Sequence, residues 1–85
     1  MVYRIVIENC VQKILNSLPV SEANKIKKEI ELLAENPRKH GVIKLKDSEP
    51  AQYRTRKGNY RIIFQIEDDI LLILVIRIFI RGDDY

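Results

Sequence analysis

A run of apolar residues near the end of the chain constrains its fold more than any other feature. Every residue from Ile70 to Ile80 is apolar except Arg77. The uninterrupted part, Ile70 to Ile76, is far shorter than the roughly 20 residues that a membrane-spanning helix needs. A strand that is apolar on both faces belongs in the interior of a sheet. The run therefore predicts a buried central strand, around which the rest of the chain must supply a sheet.

Two helices are predicted ahead of this run, after a short first strand. Residues 2–7 are mostly β-branched or aromatic, which favours a strand. Apolar residues then recur at helical spacing in two stretches separated by Pro19, namely Val11, Ile14, Leu15 and Leu18, then Ala23, Ile26, Ile30, Leu33 and Ala34. Ser21 is the expected N-cap of the second helix, and Asn36-Pro37 ends it. The short turn between the helices predicts an antiparallel hairpin.

The residues between the second helix and the apolar run predict antiparallel strands. Residues 42–46 form a possible strand, in which apolar and basic side chains alternate from Ile43 to Lys46. Gly58-Asn59 is a two-residue hairpin turn between strands over 52–57 and 60–66. The fold class is therefore α+β: an N-terminal strand, an antiparallel two-helix hairpin, then a three- to four-stranded antiparallel sheet with the helices on one face. A chain of 85 residues is expected to form a single domain, residues 1–85.

Positive charge is concentrated in the middle of the chain. The net charge is +3, but residues 38–61 alone carry eight basic residues against two acidic ones. The eight are Arg38, Lys39, Lys44, Lys46, Arg54, Arg56, Lys57 and Arg61. Such a concentration suits a polyanion such as RNA. A hydrated basic surface without a ligand would give the same composition.

The predicted hairpin places three arginines together. With a two-residue loop at Gly58-Asn59, Arg56 lies opposite Arg61 and Arg54 lies opposite Ile63. Paired residues share a face, as do residues two apart, so the three arginines share one face. The other face, toward the helices, is expected to carry Tyr53, Thr55, Ile62 and Phe64. Arginines directly opposite each other weaken a sheet, and phosphate binding would offset that cost; hydration or pairing with nearby acids is the alternative.

Four features occur together in the sequence: the block Tyr53–Phe64 (YRTRKGNYRIIF), Asn36-Pro37, Lys44-Leu45, and Arg81 followed by Tyr85. In this combination the chain resembles the RelE branch of the RelE/ParE toxins over essentially its whole length. The resemblance implies a RelE-like microbial ribonuclease fold and a cytoplasmic toxin of a type II toxin–antitoxin system. It also implies metal-independent cleavage of messenger RNA on the ribosome by the RNA's own 2′-hydroxyl, with no cofactor. The implied partner is a cognate RelB-like antitoxin, with which the chain could form a toxin–antitoxin hetero-oligomer. The resemblance implies no membrane partner.

The resemblance also implies roles for individual residues. Arg54 and Arg56 fall where relatives place two basic residues beside the scissile phosphate, and Arg61 matches the arginine that stabilises it. Arg81 matches the arginine near the leaving oxygen, and Tyr85 the tyrosine that stacks on or orients a nucleotide. The expected catalytic residues are therefore Arg56, Arg61, Arg81 and Tyr85. The expected RNA-binding residues are Arg54, Lys57, Lys44 and Lys46.

A general base is not evident in the sequence. Many relatives carry a histidine just before the terminal arginine, where this chain has Ile80. Arginine stays protonated and is a poor base. Glu49 is an alternative base, and His40, the only histidine, is expected to be a surface loop residue. Two other functions therefore stay open: a ParE-like inhibitor that binds DNA gyrase, and a decayed toxin that serves only as an antitoxin-binding module.

Overall fold

The computed structural model describes residues 2–46 and 49–80. Its elements are β1 (Arg4–Ile7), α1 (Asn9–Ser17), α2 (Val20–Glu35), β2 (Ile43–Lys44), β3 (Tyr53–Lys57), β4 (Tyr60–Glu67) and β5 (Leu72–Ile80), with a short 3₁₀ turn at Asp68–Ile70 before β5. The predicted order of a strand, two helices and further strands is confirmed. Arg81 and Tyr85, two of the expected catalytic residues, lie outside the described residues.

The five strands form one sheet in the order β1-β5-β4-β3-β2. β5 lies between β1 and β4, so the apolar run is an interior strand, as predicted. Ile70 is the exception, because it belongs to the 3₁₀ turn and is exposed. Strands β2 to β5 are antiparallel, while β1 pairs with β5 in parallel. The sheet is therefore mixed, and the helix pair makes up part of the connection between its two parallel strands.

The helices cover one face of the sheet and form the core with it. Phe64 pairs with Val75 and Ile62 with Ile78, so these four side chains share the face that meets the helices. The buried cluster comprises Val11, Leu15, Ile26, Ile30, Leu33, Ile62, Phe64, Ile73, Val75 and Ile78. Each side chain that is fully buried in this way stabilises the fold by about 1.5–3 kcal/mol.

The start of α2 lies two residues before the predicted one. The helix begins at Val20, with Pro19 in the N-cap position and no side-chain hydrogen bond at the cap. Ser21 therefore lies inside the first turn, and the prediction that it caps the helix is wrong. The reason lies in Pro19, since its ring fixes φ near the helical value and it has no backbone N–H to satisfy.

A polar cluster ties the end of α2 to the turn before β5. Arg38 donates from Nη1 to Asp68 Oδ1 at 3.1 Å and from Nη2 to Asp68 Oδ2 at 3.0 Å. The Tyr3 hydroxyl donates to Asp68 Oδ1 at 2.7 Å. The Arg38 guanidinium, and then the Tyr3 hydroxyl, hold the pKa of the Asp68 carboxyl below its usual value. These contacts fix the segment that leads from α2 into the following loop.

The Asp68 cluster predicts a pH dependence of stability. Because the folded-state pKa of Asp68 is lowered from its unfolded value of about 3.9, the carboxylate stabilises the fold above that pH. This contribution is lost as the pH falls through the folded-state pKa. We expect Asp68→Asn to lower the melting temperature slightly near neutral pH and not at about pH 2. Thermal unfolding of both proteins across this range checks the prediction, and an equal difference at both ends would contradict it.

Candidate functional site

The β3–β4 hairpin has the predicted register. Gly58 takes φ of +59° in the turn, where glycine avoids the strain of a side chain. Arg56 pairs with Arg61, and Arg54 with Ile63. Thr55 points toward α2, since its hydroxyl donates to Glu29 there at 2.7 Å. The three arginines therefore project from the opposite face of the sheet, and the prediction that they share a face is confirmed.

β5 brings a fourth arginine and an aromatic ring to the same face. Arg77 pairs with Ile63 and Phe79 pairs with Arg61, so both lie beside the hairpin arginines. The Arg77 guanidinium carbon lies 5.4 Å from the centre of the Phe79 ring, in cation–π geometry. The sequence analysis missed both residues. We call Arg54, Arg56, Arg61 and Arg77 the arginine cluster.

The arginine cluster is suited to an anion. Arg54 and Arg61 are half-buried, whereas Arg56 and Arg77 are exposed. Within residues 2–46 and 49–80, ion pairs join Lys25 to Glu22, Lys39 to Glu29 and Arg38 to Asp68. Arg54, Arg56 and Arg77 therefore have no carboxylate partner in this part of the chain. Within the same residues the buried Nε of Arg54 has no hydrogen-bond acceptor. A buried donor left in this state costs about 1–3 kcal/mol, which an anion at the cluster would recover.

The loop after α2 brings His40 to the edge of this cluster. β2 pairs with β3 at Ile43 and Lys44, opposite Arg54 and Tyr53. Past Arg54, the outer edge of β3 borders a cavity of about 400 Å³. The cavity is lined by Lys39, His40, Gly41, Ile43, Arg54, Thr55 and Arg56. His40 is exposed, as expected of a loop histidine, but it shares a cavity with two members of the cluster.

A buried carboxylate holds this loop against the helices. Glu29 is only 5% exposed, although its place in the sequence predicts a position outside the apolar stripe of α2. Its Oε2 accepts a hydrogen bond from the Thr55 hydroxyl at 2.7 Å and lies 2.7 Å from Lys39 Nζ. One side chain of α2 thus fixes both β3 and the residue just before His40.

The lysines predicted to bind RNA do not join the arginine cluster. Lys44 pairs with Tyr53 and Lys57 pairs with Tyr60, which places both lysines on the helix side of the sheet. Lys57 borders a separate cavity with Glu22 and Lys25. Lys46 is exposed beyond the end of β2. A role for the three in RNA binding therefore stays a prediction, and it would require RNA to contact more than one face.

Residues 2–46 and 49–80 also bear on membrane and metal binding. None of the helices there has the length and apolar character to span a bilayer. Within the same residues, no three side chains among His, Cys, Asp and Glu are grouped so that they could hold a metal ion.

The chain is similar to known toxins in sequence and in fold. The family model described as the ParE toxin of the type II toxin–antitoxin system parDE matches residues 7–85. The archaeal RelE in the RelE–RelB complex from Pyrococcus horikoshii OT3 is 31% identical, with a TM-score of 0.82 over 98% of this chain and 99% of that chain. No curated protein sequence matches.

Two bacterial structures share the fold at lower identity. A chain of the RelBE2 toxin–antitoxin complex from Mycobacterium tuberculosis is 21% identical, with a TM-score of 0.82 over 98% of this chain and 95% of that chain. The isolated RelE toxin of E. coli is 21% identical, with a TM-score of 0.80 over 96% of this chain and 87% of that chain. At this identity the similarity is one of fold.

Proposed function

Since the chain belongs to the ParE toxin family of type II toxin–antitoxin systems, and within the RelE/ParE superfamily to its RelE-like branch, we propose that it inhibits translation by cleaving messenger RNA on the ribosome. The observation that carries this proposal is the arginine cluster with Phe79 beside it. Four guanidinium groups and an aromatic ring on one sheet face suit a phosphate flanked by bases.

The proposed reaction needs the cluster to stabilise negative charge. The 2′-hydroxyl of one nucleotide attacks the adjacent phosphorus, and charge builds on the phosphoryl oxygens in the transition state. Arg61 and Arg56, paired across the hairpin, would stabilise that charge, and Arg54 would hold the bound phosphate. Arg81 would act near the leaving oxygen and Tyr85 on a nucleotide; both lie outside the described residues.

Phe79 offers a surface for a nucleobase next to the proposed phosphate site. It is half-buried, pairs with Arg61 across the sheet, and has the Arg77 guanidinium over its ring. Bases stack on aromatic rings and on guanidinium planes, and each such stack contributes about 1–3 kcal/mol. The Arg77–Phe79 pair would therefore hold a base while Arg61 holds the phosphate beside it.

The proposal includes a RelB-like antitoxin as partner. The Pyrococcus horikoshii and Mycobacterium tuberculosis structures are toxin–antitoxin complexes. An acidic segment, partly disordered when free, would fold on this basic domain and neutralise the cluster. The complex would form in the cytoplasm, as a toxin–antitoxin hetero-oligomer.

A second candidate function is inhibition of DNA gyrase. The observation that favours it is the matching family model, which describes a ParE toxin. A gyrase inhibitor would reduce supercoiling of plasmid DNA by purified gyrase and would leave ribosome-bound mRNA intact. A decayed toxin would do neither and would still bind its antitoxin.

Primer extension on mRNA from translating ribosomes tests the proposed function. We expect the purified chain to create new 5′ ends within translated codons, and the same mRNA without ribosomes to stay uncut. Plasmid supercoiling by gyrase, measured in parallel, is expected to be unaffected. Intact mRNA together with inhibited gyrase would reject the nuclease in favour of the second candidate.

A further inference from the structure

Cleavage by a 2′-hydroxyl requires a group that takes up the hydroxyl proton. Arginine cannot serve, because it remains protonated in proteins. The arginine cluster therefore accounts for phosphate binding and charge stabilisation but leaves the proton without an acceptor. Such an acceptor has to lie beside the bound phosphate, so it must be among the side chains that border Arg54 and Arg56 in the described part of the chain.

The cavity at the outer edge of β3 supplies such a group. Of its lining side chains, Lys39 is paired with the Glu29 carboxylate and the Thr55 hydroxyl donates to the same carboxylate. Gly41 and Ile43 have no titratable group. With the arginines excluded as bases, His40 is the lining residue that remains as a proton acceptor. Histidine is the side chain type that exchanges a proton near neutral pH. Glu49, the alternative from the sequence, is exposed and does not line this cavity.

Contacts of the residues before and after His40 fix the position of its backbone. Lys39, the preceding residue, has its Nζ 2.7 Å from the buried Glu29 carboxylate. Val42 donates from its backbone N–H to the Lys39 carbonyl at 3.1 Å, which closes the turn around His40. His40 is exposed and lines a cavity of about 400 Å³, which falls within the size range of small-ligand sites. A proton acceptor needs this combination of fixed backbone and open access.

We propose that His40 is the general base of the nuclease and accepts the proton of the attacking 2′-hydroxyl. The inference rests on the proposed function and adds to it. The neutral imidazole takes the proton as the 2′-oxygen forms its bond to phosphorus. The bond from phosphorus to the 5′-oxygen then breaks, and that oxygen takes a proton from water. The products are a 2′,3′-cyclic phosphate and a 5′-hydroxyl, and the imidazolium returns its proton to solvent.

Chemical rescue of His40 variants tests the proposal. The rate of a single round of cleavage is measured on ribosome-bound mRNA, with the chain in excess. We expect His40→Ala and His40→Gln to be about 10²–10⁴-fold slower than the wild type, with unchanged affinity for the ribosome. Added imidazole should raise the rate of His40→Ala and should not change that of His40→Gln, whose side chain fills the space. Asn16→Ala, an exposed change on α1, is the control and should cleave at the wild-type rate.

The possible outcomes distinguish the role of His40 from the proposed nuclease function. A wild-type chain that cuts no mRNA overturns both. An active wild type with equally active His40 variants overturns the role of His40 and leaves the nuclease standing. Slow variants that also bind ribosomes weakly and gain nothing from imidazole assign His40 a structural role and overturn the proposal. The proposal is supported if His40→Ala cleaves slowly, binds the ribosome as tightly as the wild type, and regains cleavage when imidazole is added.

Discussion

Arg61→Ala is expected to relieve the growth arrest that expression of the chain causes, and to slow mRNA cleavage about 10²–10³-fold. The reason is position, since Arg61 lies between Arg56 on β3 and Phe79 on β5 in the register of the open sheet face. A phosphate held there faces cationic groups and an aromatic ring. Removing the central guanidinium removes charge stabilisation in the transition state. Colony counts after induction and primer extension on ribosomal mRNA measure the two effects.

Two further variants make the Arg61 prediction specific. Arg61→Gln keeps most of the half-buried stem and should be as inactive as Arg61→Ala, with circular dichroism showing that both are folded. Arg4→Ala is the matched control, because Arg4 pairs with Leu72 and so lies on the same sheet face at the far end of β5, roughly 20 Å away by strand rise. It should stay toxic. Full toxicity of folded Arg61→Ala would count against the nuclease.

The hairpin could be predicted from sequence because its geometry is local. A two-residue turn at Gly58-Asn59 fixes the register of the two strands. Because side chains alternate between the two faces along a strand, the register decides which face each side chain takes. The same rule placed Arg54 and Arg56 opposite the helices. It also assigns Lys57, one residue after Arg56, to the other face. The separation of Lys57 from the arginines could therefore be predicted from the sequence.

The remaining parts of the site depend on long-range contacts that no local pattern encodes. Arg77 and Phe79 reach the cluster through the pairing of β5 with β4, where a bulge at Ile63/Phe64 shifts the register. His40 reaches it because the pairing of β2 with β3 starts at Ile43, opposite Arg54, so that the loop before β2 borders the rest of the β3 edge. Helical periodicity counts apolar residues, so it cannot identify Glu29, a carboxylate that is buried because its partners come from elsewhere in the chain.

Lys39→Met is expected to destabilise the fold by about 3 kcal/mol. Loss of Lys39 leaves the Glu29 carboxylate, 5% exposed, with the hydrogen bond from the Thr55 hydroxyl and without its cationic partner. Removing one partner of a buried ion pair typically costs about 3–5 kcal/mol, and the 25% exposure of the Lys39 side chain places this case at the low end. In so small a domain that loss corresponds to roughly 12–24 °C in melting temperature. Thermal and urea unfolding measure it.

The destabilisation arises because the buried Glu29 carboxylate is left without a cationic partner. Removing that negative charge as well should restore most of the lost stability. Glu29→Gln combined with Lys39→Met keeps an acceptor for the Thr55 hydroxyl and leaves no unpaired carboxylate, and it should melt well above Lys39→Met alone. Lys28→Met, the same change at an exposed position of α2, should melt like the wild type. Because Lys39 precedes His40, the double variant should be stable yet slow in mRNA cleavage. If Lys39→Met itself melts like the wild type, the Glu29 carboxylate does not hold the loop.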